Sequence, residues 1–452
     1  MKRWLTAVAA IALGLSLTLS HAADANGAAQ EQARTQAQKA DATAQASGFK
    51  IRPVDDAWRA ALPRDAKAAT QAYMDRLPAD VLAKSAAYWE GGYWMQLWDL
   101  LLGLAIAALM LSGRRAARVR DWAARVGRGP VRRDMLFGAV YMLAAWVLSL
   151  PLTIYVGFVR EQLYGMSTQT FAAWGGEQLV GLAINVLLGA VVFAALYAVM
   201  RRTGERWWIW GTGLGIGFLT LLIALNPVFI EPLFNTYKPV EDGPVKTAVL
   251  QMAHANGVPV DNIYEVDASR QTTRISANVT GLFGTAAVRL NDNLLRRTSV
   301  AEIRAVMGHE LGHYVLNHVA KSMVALSVVL LVGFGFAQWA MRRVLTRFAG
   351  ATGVNRVDDV ASLPLLAAVF SVFFALATPV MNTLSRTDEI EADRFGLNLS
   401  REPLGFAEAQ LHLVEYRKAD PGPVEEFIFF HHPGTRNRIY DAMRWRESMG
   451  AP

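Results

Sequence analysis

The sequence predicts a multi-spanning α-helical membrane protein with an α+β block inserted between its spans. Three observations carry that expectation: 53% of the 452 residues are hydrophobic, long uncharged runs recur along the chain, and one polar stretch separates two of those runs. Runs at 135–159, 178–200, 208–230, 322–341 and 360–384 are each long enough to cross a bilayer as a helix, and a sixth at about 93–113 carries Asp99 near one end. Six spans are therefore expected. As buried helices of a soluble protein, so many runs would leave no aqueous face.

The N-terminus MKRWLTAVAAIALGLSLTLSHAADA combines two basic residues, an apolar stretch and small residues around His21, the pattern of a signal peptide over 1–22. Residues 23–90 read as a linker poor in aromatics, followed by short amphipathic helices with Trp58, Tyr73, Tyr88 and Trp89, held loosely at a membrane surface. Spans one to four then fill 91–230, spans five and six fill 322–384, and 385–452 returns to polar sequence. The formal net charge is +7, but the arginines are bunched beside apolar runs, which points to membrane lipid and away from nucleic acid. There are no cysteines, so disulfides, thiolate metal sites and a cysteine nucleophile are excluded. Any metal must be held by histidine and carboxylate.

The inserted block covers 231–321. EPLFNTYKPVEDGPVK reads as a proline-rich turn and VKTAVLQMAHANG as a helix stopped by Gly257. NIYEVDAS, TTRISANVTG and AAVRLNDNLL read as strands. Ser299 and Glu302 then form a capping box for a helix that contains VMGHELGHYVLNH. On that helix His309 and His313 project from one face about a turn apart, so two imidazoles reach one small ion. Glu310 lies roughly 100° round the axis, where it can touch a water on that ion without ligating it. His318, on an unbroken helix, falls on roughly the opposite face and is expected at the surface or behind the ligands, not among them. The extended metzincin pattern requires glycine at 316 and histidine at 319, where this chain has Leu316 and Val319. The block therefore reads as an α+β zinc-peptidase domain inserted into the membrane helices.

Two histidines and a water leave zinc one protein ligand short of a usual catalytic site. Beyond the last span lies SRTDEIEADRFG, helical in pattern. Glu389 and Asp393 share a face there, while Glu391 points roughly 200° away from Glu389. Spacing alone does not choose among them.

The ordered set HELGH, a pair of spans and E-x-x-A-D resembles the integral-membrane zinc metallopeptidases of the type I CAAX prenyl endopeptidase family. REQLYGMSTQT, PVFIEPLFNTYKPVEDG, DASRQTTR and HHPGTRNR extend the resemblance over most of the chain from about residue 130. It implies Glu389 as third zinc ligand and Asp393 as the acceptor that orients a ligating histidine. It also implies that His432 and Arg438 steady the scissile carbonyl as it becomes an oxyanion, and that a helix cage closes over the site. The family's strand asparagine aligns with Ser276, whereas this chain offers Asn278 two residues on, so the substrate-backbone contact is shared between those two candidates.

The expected function is a membrane zinc endopeptidase with one Zn²⁺ held by His309, His313 and Glu389 and with Glu310 as general base, acting on peptide or protein substrates. A broad quality-control protease and a non-catalytic zinc scaffold are the alternatives. RRAARVRDWAARVGRGPVRR, with eight arginines, belongs in the cytoplasm by the positive-inside rule, as do RRTGER and RRVLTR. Counting spans then puts the catalytic block of a bacterial inner-membrane protein on the periplasmic side.

Overall fold

The computed structural model describes residue 54, residues 56–280 and residues 286–450. The expected signal peptide over 1–22 and the polar linker after it lie outside these. Two short helices, α1 (Asp56–Ala61) and α2 (Ala66–Met74), precede α3 (Ala79–Leu111), which contains the first predicted span. An arginine-rich helix α4 (Arg115–Gly127) follows, then α5 (Pro130–Ile154), which runs on through a π turn to Leu163. Helices α6 (Phe171–Thr203) and α7 (Trp207–Leu225) meet at Gly204, whose φ of 55° and ψ of −125° suit glycine alone.

After the inserted block come α11 (His318–Thr352) and α12 (Leu363–Ser400). Among the described residues, five continuous helical stretches are long and apolar enough to cross a membrane; one of them, Phe171–Leu233, holds both α6 and α7. All six predicted runs are thus helical. Their outward faces carry Trp94, Leu187, Val324 and Val328, each more than half exposed, as lipid-facing surfaces do. Their inward faces bury Phe137, Tyr197, Met200, Phe334 and Met341.

The basic segments gather at one end of this bundle. Arg114 Nη2 donates to Gly350 O (2.9 Å), Arg201 pairs with Asp134 (2.7 Å), Arg120 pairs with Asp359, and Arg342 pairs with Glu205. The polar block lies along the chain from the opposite ends of the helices, between α7 and α11.

That block contains β1 (Tyr237–Pro239), α8 (Pro244–Ala255), β2 (Ile263–Val266), β3 (Ala277–Thr280), β4 (Ala287–Asn291), α9 (Asp292–Arg297) and α10 (Val300–Val315). The sheet order is β1-β2-β4-β3, with β2 and β4 parallel and the outer pairs antiparallel. β1 lies inside the stretch expected as a turn; it pairs with β2 through Tyr237 opposite Val266. The Ser299–Glu302 capping box is present at the start of α10. Ile303, Met307 and Leu311 recur every four residues on α10 and are buried with Ile263, Val288 and Leu290 of the sheet. This fixes which face of α10 remains for chemistry.

Two of the quoted motifs meet and fasten the block to the helices. Glu161 of REQLYGMSTQT receives Arg274 Nη2 of DASRQTTR (2.6 Å) and the Tyr88 hydroxyl (2.6 Å), and Thr273 N donates to Met166 O (3.1 Å). Arg270 adds a pair with Glu177 on α6 (3.1 Å).

The C-terminal part forms α13 (Pro403–Leu413), α14 (Pro423–Phe429) and α15 (Thr435–Met449). The expectation of loosely held helices before the first span needs correcting. Leu62, Ala69, Tyr73 and Met74 are buried against Phe406, Leu411, Ile439 and Met443, and Arg59 pairs with Glu408 (3.2 Å). Trp58 and Tyr73, two of the aromatics that looked scattered among charges, are one side of a second core closed by a segment more than 300 residues away, while Tyr88 packs on Tyr164 and Trp89 on Phe430.

Candidate metal centre

Helix α10 presents His309 and His313 toward α12, which presents Glu389. The approach is close because small residues line it. A Cβ on Gly396 would meet His309 N at 2.6 Å, and one on Gly308 would meet Gly396 O at 2.9 Å. One turn along, Gly312 faces Ala392. At this separation His309 Nε2 and His313 Nε2 each lie 3.4 Å from a Glu389 oxygen and 3.1 Å from each other. The three donor groups lie within 4.8 Å of one another and can hold one ion. Glu389 Oε2 is buried and makes no hydrogen bond among the described residues, as a carboxylate reserved for a cation should. Two imidazoles and a carboxylate, with no sulfur, suit zinc.

The atoms behind the cluster fix its tautomers. Asp393 Oδ1 lies 2.7 Å from His309 Nδ1, so that nitrogen is the donor and Nε2 keeps its lone pair for the ion. Arg438 holds Asp393 in turn, through Nε to Oδ2 (2.8 Å) and Nη2 to Oδ1 (2.5 Å), with both side chains buried. A buried, paired guanidinium of this kind costs about 3–5 kcal/mol to break from one side. Burial alone would push the His309 imidazole down, but Asp393 and Glu389 outweigh it and hold it up at about 10.

His318 departs from the opposite-face expectation. The helix does not run through: Asn317 adopts φ 56°, α10 ends at Val315, and a new helix starts at His318. That turn folds His318 back, buried, with its Nδ1 2.9 Å from His313 Nδ1 and its Nε2 3.3 Å from Glu391. With the His313 Nε2 lone pair facing the cluster, Nδ1–H donates to His318, which donates onward to Glu391. Glu391 also takes Lys321 Nζ (2.6 Å) and stays on this outer side, away from Glu389.

A cavity of about 250 Å³ opens beside the cluster, and His309, Glu310, His432 and Arg438 reach its wall. The Glu310 pKa is raised, chiefly by burial. His432 Nε2 lies 3.3 Å from Glu389 Oε1, and burial keeps this imidazole neutral. On the far wall are Ile275, Ser276 and Ala277, where the chain enters edge strand β3. Ser276 lines the cavity; Asn278, opposite Arg289 in the ladder, is exposed and lies outside the lining. Sequence reasoning missed Gln410 and Arg417, which also line the cavity. Neither belongs to a motif, and only the return of α13 to the sheet edge brings them there.

Two family models account for most of the chain. Residues 61–236 match the CAAX prenyl protease N-terminal region, described by five membrane helices, and residues 239–446 match Peptidase family M48. An uncharacterized metalloprotease of Bacillus subtilis is 30% identical over 317 residues, covering 69% of this chain and 74% of its own length. CAAX prenyl protease 1 of Saccharomyces cerevisiae is 26% identical over 331 residues, covering 68% and 72%. The crystal structure of S. mikatae Ste24p shares the fold, with a TM-score of 0.71 at 19% identity over 92% of this chain and 97% of that one. Fold and site together define a multi-pass membrane metallopeptidase of the CAAX prenyl protease-like kind. The chain belongs to Peptidase family M48.

Two measurements test the assignment of the cluster. Glu389→Ala should lose bound metal, while Glu391→Ala, whose carboxylate faces His318 and Lys321, should retain it; metal analysis of the purified variants showing the reverse would refute the assignment. Because the apo site holds His309 protonated well above neutral pH and a ligand must be neutral, zinc loading near pH 7 should expel about one proton, and apparent affinity should rise with pH. Titration calorimetry in two buffers of different ionisation enthalpy reads this directly. Identical heats in both would contradict it.

Proposed function

We propose that this protein is a zinc endopeptidase that cleaves extended segments of protein substrates at a membrane surface. The observation that carries the reading is the convergence of His309, His313 and Glu389 on one point beside a cavity whose wall His309 and Glu310 share. These three side chains would hold Zn²⁺, which supplies Lewis acidity to a water and to the scissile carbonyl when bound. Glu310, one residue past a ligand and outside the ligand set, takes the water's proton and delivers it to the leaving amine. A purely structural zinc site has no use for such a base.

Asp393 and Arg438 keep His309 in its ligating tautomer. His432, neutral and facing the same cavity, is the donor we assign to the developing oxyanion; Arg438, although it also lines the cavity, is committed largely to Asp393. The substrate chain adds at the open side of β3, near Ser276, with Asn278 further out along the same strand. Such main-chain pairing selects segments that can extend, which favours flexible or unfolded stretches over folded domains. Some relatives are named CAAX prenyl proteases; the site described here requires only an extended peptide.

Glu310→Gln should keep its metal and lose about 10²–10⁴-fold in kcat, since the base is removed and the ligands remain. Near-wild-type peptide cleavage by the metal-loaded variant would sink the mechanism.

We further propose that the site faces the periplasm of a bacterial inner membrane. The gathering of the basic segments at the end of the bundle away from the block supports this through the positive-inside rule. The absence of cysteine makes a clean test available. A single cysteine at Asp242, which is 96% exposed in the block, should react with an impermeant maleimide in intact spheroplasts. Labelling only after lysis would place the block inside.

A further inference from the structure

Charge in the catalytic cavity is unevenly matched. Glu310 in the wall and Glu389 and Asp393 just behind it face two guanidiniums, Arg417 and Arg438, so with the histidines neutral a bound divalent cation leaves the sum at one positive charge. The positive surplus sits on one residue. Arg438 is locked on Asp393, whereas Arg417 forms no ion pair with a carboxylate among the described residues. Its polar contact is Nη2 to His432 Nε2 at 3.5 Å, a neutral imidazole, with the Tyr416 ring 5.9 Å away. Burial pushes the Arg417 pKa down, as for a cation whose partner is missing. Gln410 shares the cavity wall: it is 95% buried, and its amide makes no hydrogen bond within the described chain. A guanidinium without a carboxylate partner and an amide without a hydrogen bond, both counted among the described residues, therefore face one cavity.

We propose that Arg417, with Gln410, forms a subsite that accepts a carboxylate of the substrate close to the bond being cut. The guanidinium supplies the charge and the amide N–H a second donor, the pairing that makes carboxylate recognition directional. Its reach is set by two contacts: 3.5 Å from Arg417 to His432 Nε2, and 3.3 Å from there to Glu389 Oε1. An extended peptide advances about 3.3 Å per residue, so the carboxylate lies within about two residues of the scissile bond. The carboxylate can be the substrate's own C-terminus or an acidic side chain, and the chemistry of recognition is the same. The inference rests on the peptidase reading but concerns selectivity, which is measured separately.

The test uses the full-length, zinc-loaded protein and matched peptides that differ in one carboxylate: free C-terminus against C-terminal amide, and Asp against Asn within two residues of the cleaved bond. Wild type should favour the acidic member of one pair by about 10- to 100-fold in kcat/KM, and the pair that responds identifies the source. Arg417→Gln should collapse that ratio to about 3-fold or less, and Arg417→Lys should restore part of it. Equal cleavage of acidic and neutral peptides by wild type, or full discrimination retained by Arg417→Gln with metal content intact, would overturn the subsite. Binding of the same peptides to Glu310→Gln, followed by fluorescence anisotropy, repeats the comparison without catalysis. If wild type cleaves nothing while this variant still prefers the acidic peptide, the peptidase reading fails and the subsite stands; if it shows no preference, the subsite fails on its own.

Discussion

The crossing of α10 and α12 at Gly308 and Gly396 is the contact on which the rest of the site depends. Ligands from two helices can share one ion only if the backbones come close enough for short side chains to meet. Glutamate and histidine reach only a few ångströms, and the positions that would hold the helices apart carry no Cβ. The same spacing places Gly312 against Ala392 one turn on, so the seam of small residues runs beside the ligands. Membrane helices use small residues in this way, and here the device extends past the apolar part of α12 into its polar end.

Once the helices are this close, each ligand is oriented from behind by a different route. His309 is held by a buried carboxylate and a buried arginine, both with little freedom. His313 is held through His318 to Glu391, which is partly exposed. The first support is rigid and dry; the second is wet and shared with Lys321. A carboxylate confined by a bidentate guanidinium keeps both its charge and its position, whereas an exposed one exchanges partners at little cost.

Much of this was legible in the chain because local helical geometry dictates it. Four-residue spacing placed His309 with His313, and the capping box located the start of their helix. Glu389 could not be chosen over Asp393 or Glu391 by spacing, since the choice depends on which face of α12 meets α10, and that is set by Gly396 and Ala392. These small residues stand beside the ligands in the sequence, so the signal was present without being recognised. His318 does lie behind a ligand, as one of the two expected placements had it, but not on the opposite face, because the wheel assumed an unbroken helix and Asn317 is a residue type that tolerates the left-handed turn ending α10. The core joining α1 and α2 to α13 and α15 was out of reach, because residues on either side of it are separated by the whole membrane domain.

The membrane domain has a further consequence for selectivity. Clamps such as Glu161–Arg274 and Arg270–Glu177 fasten the β-sheet block to helix ends, so the edge of β3 does not drift from the metal cluster in the way of a free domain. On the proposed reading, a substrate strand pairing with that edge would be held at a fixed distance from Glu310 by backbone bonds that do not read side chains. Any sequence preference must come from what lines the rest of the cavity, which is the wall contributed by α13 and the turn after it. Those residues lie outside the motifs that assemble the metal site. Selectivity can therefore change there, one side chain at a time, while the geometry of His309, His313 and Glu389 stays fixed by the crossing of α10 and α12.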